Sequence, residues 1–274
     1  MCRTAFFLAP LIALVFGLLV WPMCVLGYAS ARVSPGGSGP GLTWARYREI
    51  FSDPYYRESL VHSLVLSLAV AAASTLFSLA PAWLLARHEF WGQRLMRLVF
   101  SLPMSLSGIM VGFLAVVMLG RVGFVPQLLQ KLTGGDWLSG SAYQLTGLVI
   151  AYLYFEIPRA VLALEAPLRK LDPQWDMAAR SLGASAWQRF SWVTLPLIAP
   201  ALWSTFTLAF SVSLGSFGVA LILSRRFSVL PLELFHQFTA MSNTPLAAAM
   251  AVVLAMVALF LHLAGAGLVE RRRR

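Results

Sequence analysis

The sequence predicts an all-α membrane protein with six transmembrane helices. Of its 274 residues, 59% are hydrophobic and 12% charged, which is more apolar surface than one soluble core of this size can hide. Lipid is then the solvent for much of the chain. A helix needs roughly 20 apolar residues to cross about 30 Å of hydrocarbon, and six stretches meet that length. A peptide group left unpaired in lipid costs several kcal/mol, and only a helix pairs all of its own within one segment.

The six stretches are Ala5 to Leu26, Leu60 to Ala86, Leu98 to Leu119, Leu145 to Leu164, Leu195 to Leu223 and Pro245 to Leu268. The first follows Arg3 and precedes Ala29-Ser30-Ala31, which resembles a signal-peptide cleavage site. The apolar run is longer than the roughly 7 to 15 residues of a signal core, so an uncleaved helix is expected. Ser34 to Gly41 is a Gly/Pro/Ser linker that holds no helix. Leu42 to Tyr56 is amphipathic, and Trp44, Tyr47, Ile50, Phe51 and Tyr55 are expected at the headgroup level, where aromatic rings are favoured. Leu119 to Ser141 and Ser224 to Asn243 read as outer segments with short helices and turns. The chain therefore divides into a first transmembrane helix (1–28), an outer linker and amphipathic segment (29–59), a transmembrane core (60–268) and a basic tail (269–274).

A formal charge of +10 would in a soluble protein suggest nucleic acid, but the basic residues sort by side of the membrane. With the N-terminus inside, one face holds Arg3, Arg87, Arg94, Arg97, Arg169, Lys170, Arg180, Arg189 and Arg271 to Arg274. The other holds Arg32, Arg46, Arg48, Arg57, Arg121, Lys131, Arg225 and Arg226. That bias puts both termini in the cytoplasm, and it makes the terminal arginines a grip on anionic lipid rather than on nucleic acid.

The inner segment 165–194 is the most informative. Asp172 before Pro173 is a helix start: the carboxylate takes an orphan amide, and proline at the first position gives up only an N–H that has no partner. The helix from Pro173 to Leu182 stops at Gly183, the residue best suited to a left-handed turn. Ser185 with Gln188 forms a capping box that opens a second helix running through Leu195-Pro196 into the fifth span. Ala178 and Ala179 give the first helix a small-residue face on which another surface can approach closely.

The spacing Met177-Ala178-Ala179, Gly183, Val193, Leu195-Pro196 resembles the cytoplasmic signature of permease subunits of ATP-binding-cassette (ABC) importers: Glu-Ala-Ala, three residues, Gly, nine residues, Ile, one residue, Leu-Pro. Met177 stands for the family's Glu and Val193 for its Ile, with Asp176 placing a carboxylate one residue earlier. Pro81 in span two and Leu102-Pro103 opening span three fit the same transmembrane domain. The resemblance implies a type I importer fold in the bacterial inner membrane. It also implies an ATPase-coupling segment carried by Asp176, Met177, Ala178, Ala179, Gly183, Leu195 and Pro196. The implied partners are an ABC ATPase dimer that holds ATP and Mg, a second permease subunit, identical or homologous, and an extracytoplasmic solute-binding protein. Polyamine, phosphonate, thiamine, ferric iron and sulfate importers share this scaffold, and the overall pattern looks closest to the spermidine/putrescine, iron, thiamine and phosphonate branch.

The residues agree with that division of labour. A phosphate-binding loop needs Gly-Lys-Ser/Thr, yet the chain's lysines, Lys131 and Lys170, are each followed by Leu, so no enzymatic activity and no cofactor are expected of this chain. No nucleophile triad or metal-ligand spacing occurs, the histidines are scattered, and Cys2 and Cys24 make no framework. Glu156, within span four, and Ser211, Ser213 and Ser216, within span five, are the candidate translocation-path residues. Glu156, however, is expected mainly to pair with Arg159 three residues on, and the hydroxyls mainly to serve helix packing. A self-sufficient secondary transporter, the alternative, would show internal repeats and several intramembrane coupling charges.

Overall fold

The computed structural model describes residues 14–32, 41–133, 141–224 and 227–271, and residue 19, residue 133 and 266–271 by backbone only. Its elements are α1 (Phe16–Ala31), α2 (Ala45–Ser52), α3 (Pro54–Arg87), α4 (Gln93–Ser101), α5 (Gly108–Leu119), α6 (Phe124–Thr133), α7 (Leu145–Arg169), α8 (Pro173–Ser181), α9 (Ala186–Gly215), α10 (Gly218–Leu223), α11 (Leu230–Thr239) and α12 (Thr244–Arg271). Five stretches among the described residues are long and apolar enough to cross a membrane: Pro54–Arg87, Gly108–Leu132, Leu145–Arg169, Ala186–Gly215 and Thr244–Gly265. The first expected span is described only from residue 14. Most of the Ser34–Gly41 linker, Arg225, Arg226 and the end of the basic tail lie outside the described residues.

The chain forms two compact units, Met1–Val61 with Val229–Val257, and His62–Ser228 with Ala258–Arg274. In the first, α1 and α2 are joined by a hydrogen bond between the hydroxyls of Ser30 and Tyr47 (2.7 Å), with Ile50 fully buried. Ile50 is thus core, and only Trp44, Phe51 and Tyr55 of the expected interfacial set are well exposed. The Tyr55 hydroxyl donates to Glu233 Oε1 (2.6 Å) and Gln237 Nε2 donates to the Tyr56 hydroxyl (3.1 Å), fastening the start of α3 to α11.

The second unit packs α3, α7 and α9 around Ala82, Leu85, Val161, Leu164, Leu168 and Ile198. Two expected spans are not continuous here. Leu98 to Leu119 breaks after Ser101 into a 3-10 turn at Pro103–Ser105 and restarts at Gly108; Pro103 has no N–H to continue the ladder, and the backbone becomes extended at Leu106 and Ser107 before α5 begins. Leu195 to Leu223 breaks at Ser216-Phe217, between α9 and α10.

The restarted pieces pack on one another. Gly108 and Gly112 are four apart on α5, so they share a face, and Gly218 and Ile222 do the same on α10. A Cβ at Gly218 would sit 3.1 Å from Ile109 N and 3.2 Å from the Gly108 carbonyl carbon, and one at Gly112 would sit 2.9 Å from Ile222 Cβ. This is the small-residue close approach that holds helices together where lipid removes the hydrophobic drive. Gly112→Leu should therefore separate α5 from α10, at about 1–3 kcal/mol of overpacking, and lower the yield of monodisperse protein in detergent size-exclusion chromatography. Gly27→Ala, where a Cβ meets nothing within 4 Å, should leave the yield unchanged. Equal yields for the two variants would show that this approach does not hold the core.

Candidate functional site

Local capping builds the inner segment. Asp172 Oδ1 accepts from Gln174 N (2.9 Å) at the start of α8. At its end Gly183 adopts φ +77°, Gly183 N donates to Arg180 O (2.9 Å) and Ala184 N to Ala179 O (3.1 Å), the paired bonds of a left-handed helix stop. At the start of α9, Ser185 Oγ accepts from Gln188 N and Gln188 Oε1 from Ser185 N (2.8 Å), completing the capping box. Leu195 and Pro196 lie in the continuous helix α9, just beyond a π-helical stretch over Arg189–Thr194 in which Leu195 N bonds Phe190 O. Proline at 196 supplies the cause, since it withholds the bond to the carbonyl four residues back.

A charge link that the sequence did not reveal joins the two helices. Asp176 Oδ2 accepts from Arg180 Nε (2.9 Å) along α8, and Oδ1 accepts from Arg189 Nε (2.8 Å) across the turn. Arg189 also donates to Ala184 O (3.2 Å) and so ties down the turn itself. Met177, in the signature's Glu position, is 58% exposed and makes no such link. A carboxylate shifted by one residue thus holds the geometry.

No residue of α8 is buried. Trp175, Met177, Leu182 and Trp187 are exposed, Ala178 lies on the surface and Ala179 is half-buried. Nine residues without packing make a marginal helix, so caps and ion pairs carry it. Behind it a cavity of about 560 Å³ is lined by Trp83, Arg87, Trp175, Arg180, Arg189 and Phe190, among others. The base of this region is anchored by Glu165, whose Oε1 accepts from both Arg97 and Arg169 at 2.9 Å. The carbonyl of Leu85, an orphan at the end of α3, is taken by Gln93 Nε2 (2.7 Å) and Arg169.

The intramembrane candidates separate. Glu156 is wholly buried on α7, and its Oε1 accepts from Arg159 Nη1 (3.2 Å), while Oε2 has no hydrogen-bond partner. Residues two apart on a helix face nearly opposite ways, which divides Ser211 from Ser213. Ser211 Oγ lies 3.5 Å from His262 Nδ1, whereas Ser213 is buried with its hydroxyl unpaired. Ser216 sits in the break after α9, where its carbonyl accepts a short hydrogen bond from the buried Tyr152 hydroxyl. Ser216 and Arg159 line one cavity of about 160 Å³ with Phe155, Pro103 and Gly108. Arg159 stacks over Phe155 at 5.8 Å. The sequence does not mark Tyr152 as the partner of Ser216, nor Arg159 as sharing its cavity, because the break that places Ser216 there is tertiary. Among the described residues no group of three or more His, Cys, Asp or Glu is placed to hold a metal.

Residues 74–274 match the family model described as the binding-protein-dependent transport system inner membrane component. The chain is 36% identical over 165 residues to the molybdenum transport system permease protein ModB of Haemophilus influenzae, covering 59% of this chain and 70% of that one. It is 29% identical over 187 residues to the sulfate transport system permease protein CysT of Escherichia coli, covering 67% and 64% respectively. It is 30% identical over 218 residues to the sulfate transport system permease protein CysW of Synechocystis, covering 77% and 75%. In fold it is similar to a chain of the bacterial alginate ABC transporter, solved in complex with an alginate pentasaccharide-bound periplasmic protein, at a TM-score of 0.80, 18% identity and coverage of 98% and 94%. A chain of the inward-facing MetNI methionine ABC transporter aligns at a TM-score of 0.60 and 14% identity, over 78% and 94%. With nearly three quarters of its length matched by the family model and this type I importer architecture, the chain belongs to the binding-protein-dependent inner membrane components, the permease subunits of ABC importers.

Proposed function

We propose that this permease imports small tetrahedral oxyanions of the sulfate and molybdate class, driven by ATP hydrolysis in a separate ATPase dimer that docks on α8. The observation that carries the docking is an outward helix with no buried residue, capped at both ends and pinned by Asp176, whose exposed Trp175, Met177 and Leu182 offer a partner apolar surface. A helix held this way transmits motion of a docked subunit into α9, because the Asp176–Arg189 link and the Gly183 turn leave it one orientation. A second permease subunit and an extracytoplasmic binding protein complete the assembly.

The solute class rests on the relatives. Molybdenum dissolved in aerated water is a tetrahedral dianion, close in shape and charge to sulfate, so the molybdenum and sulfate permeases named above handle one chemical class. This replaces the polyamine, thiamine, iron or phosphonate solute expected from the sequence pattern.

Proteoliposomes holding the permease, its ATPase and its binding protein should accumulate radiolabelled sulfate or molybdate only with ATP inside, and should leave spermidine and thiamine outside. Uptake of neither oxyanion would defeat the solute class, and uptake indifferent to ATP would favour the secondary transporter. With both termini cytoplasmic, a cysteine at Ser38 in a chain lacking Cys2 and Cys24 should react with an impermeant thiol reagent in intact cells, and one at Ser185 should not. Reversed labelling would invert the topology.

Gly183→Val tests the coupling. The left-handed backbone at φ +77° suits glycine, and a β-branched residue there costs about 1–3 kcal/mol. A Cβ at 183 meets nothing within 4 Å, so the strain is in the backbone alone and insertion should proceed normally. The expected outcome is near-normal membrane abundance with weakened ATPase co-purification and little stimulated ATP hydrolysis. Unchanged binding and hydrolysis would remove α8 from the coupling path.

A further inference from the structure

The cavity of about 160 Å³ beside α7 has features that helix packing leaves unexplained. A guanidinium has five N–H donors, and among the described residues Arg159 uses one hydrogen bond, to Glu156. The other donors belong to a side chain 27% exposed on a wall of the cavity, inside a helix apolar enough to span lipid. A cation at such depth without further partners is costly, so spare donors there call for an acceptor. Ser216 lines the same cavity with a hydroxyl that bonds no described residue, its carbonyl being occupied by Tyr152. Gly108 lines it too, at the start of the 12-residue α5, where Ser107 Oγ takes the Met110 amide and the amides of Gly108 and Ile109 have no acceptor within the helix. The remaining wall is apolar, from Met104, Leu106, Val111, Phe155 and Val212, and it sheds water from whatever the donors hold.

We propose that Arg159 and Ser216 form an intramembrane relay site for a tetrahedral oxyanion, with the amino end of α5 adding peptide donors. The proposal rests on the oxyanion-importer reading above. Planar N–H donors and a hydroxyl match an anion whose oxygens all accept, and neither suits a cationic solute such as a polyamine. Glu156 sets the strength of the site. Its Oε1 holds the guanidinium in place, and its negative charge offsets that of Arg159, so the oxyanion is recognised yet released, as a transport path requires. Glu156 is thus a positioning residue, acting through Arg159. Phe155 fixes the other face of the guanidinium.

The test measures oxyanion uptake and ATP hydrolysis together in proteoliposomes carrying the assembled permease–ATPase complex and saturating binding protein. Glu156→Gln combined with Arg159→Gln leaves no unpaired buried charge. Hydrogen bonds to charged groups are worth about 1.5–3 kcal/mol, so uptake per assembled complex should fall about ten- to hundredfold. The ATP spent per ion should rise by a similar factor, because hydrolysis no longer finds an ion to pass on. Ser216→Ala, which removes one neutral donor, should raise ATP per ion about two- to tenfold. A merely structural role lowers uptake and hydrolysis in step and leaves ATP per ion unchanged, and that result overturns the site. If the double variant does not assemble, Ser216→Ala decides alone, an unchanged ratio being fatal. Wild-type complex that transports neither sulfate nor molybdate overturns the oxyanion reading and the site with it, whereas wild-type uptake with unaltered variants overturns the site only.

Discussion

Inside the hydrocarbon a peptide group has no water to bond, and every feature of the transmembrane region answers to that shortage. Long stretches solve it as uninterrupted helices, such as the 34 residues of α3 and the 25 of α7. Where the chain departs from a helix, at Leu102–Ser107 and at Ser216-Phe217, the freed groups find protein. Ser107 Oγ accepts from Met110 N, the Tyr152 hydroxyl donates to the Ser216 carbonyl, and the glycine faces of α5 and α10 bring the two breaks side by side. Irregular backbone at this depth persists only when buried in protein or lining a cavity, and residues of both breaks, Pro103, Met104, Leu106 and Ser216, line one cavity.

The inner segment follows the opposite economy. There water is at hand, no side chain of α8 is buried, and local chemistry supplies the order: an Asp172 cap, a Gly183 stop, a capping box at Ser185 and Gln188, and the Asp176–Arg189 pair. Exposed ion pairs are individually worth about 0.2–1 kcal/mol, so Asp176 orients α8 more than it stabilises it. Asp176, one residue before the signature's Glu position, is the one that faces Arg189 across the turn, since the next residue on a helix points about 100° away and Met177 is exposed.

Charge inside the second unit is placed by the same physics. Glu165 is nearly buried, yet it is shared by Arg97, which ties α4 to α7, and by Arg169 one turn on along α7. Glu156 has one partner and one bare oxygen, a costly arrangement for a group that serves packing alone. The contrast separates a carboxylate shared by two arginines from one that holds a single neighbouring guanidinium toward a cavity.

Apolar length, charge bias and capping chemistry are local properties, so the sequence by itself determined the helical membrane class, the positions of most spans, and the α8-turn-α9 segment down to its caps. The Glu156–Arg159 pair was also legible, being three residues apart on one helix. The tertiary structure decided the rest. Pro103 marks a local interruption in Leu98–Leu119, but nothing in that run or in Leu195–Leu223 says that the helix stops and restarts, because the two restarted pieces pack on one another across a long stretch of chain. For the same reason the fate of the serines was hidden: Ser211 turns to His262, Ser213 into the core, and Ser216 to Arg159's cavity, since a hydroxyl's role depends on what faces it. Ile50 reads as interfacial from its aromatic neighbours and is core because helix rotation, set by the Ser30–Tyr47 bond, turns it inward.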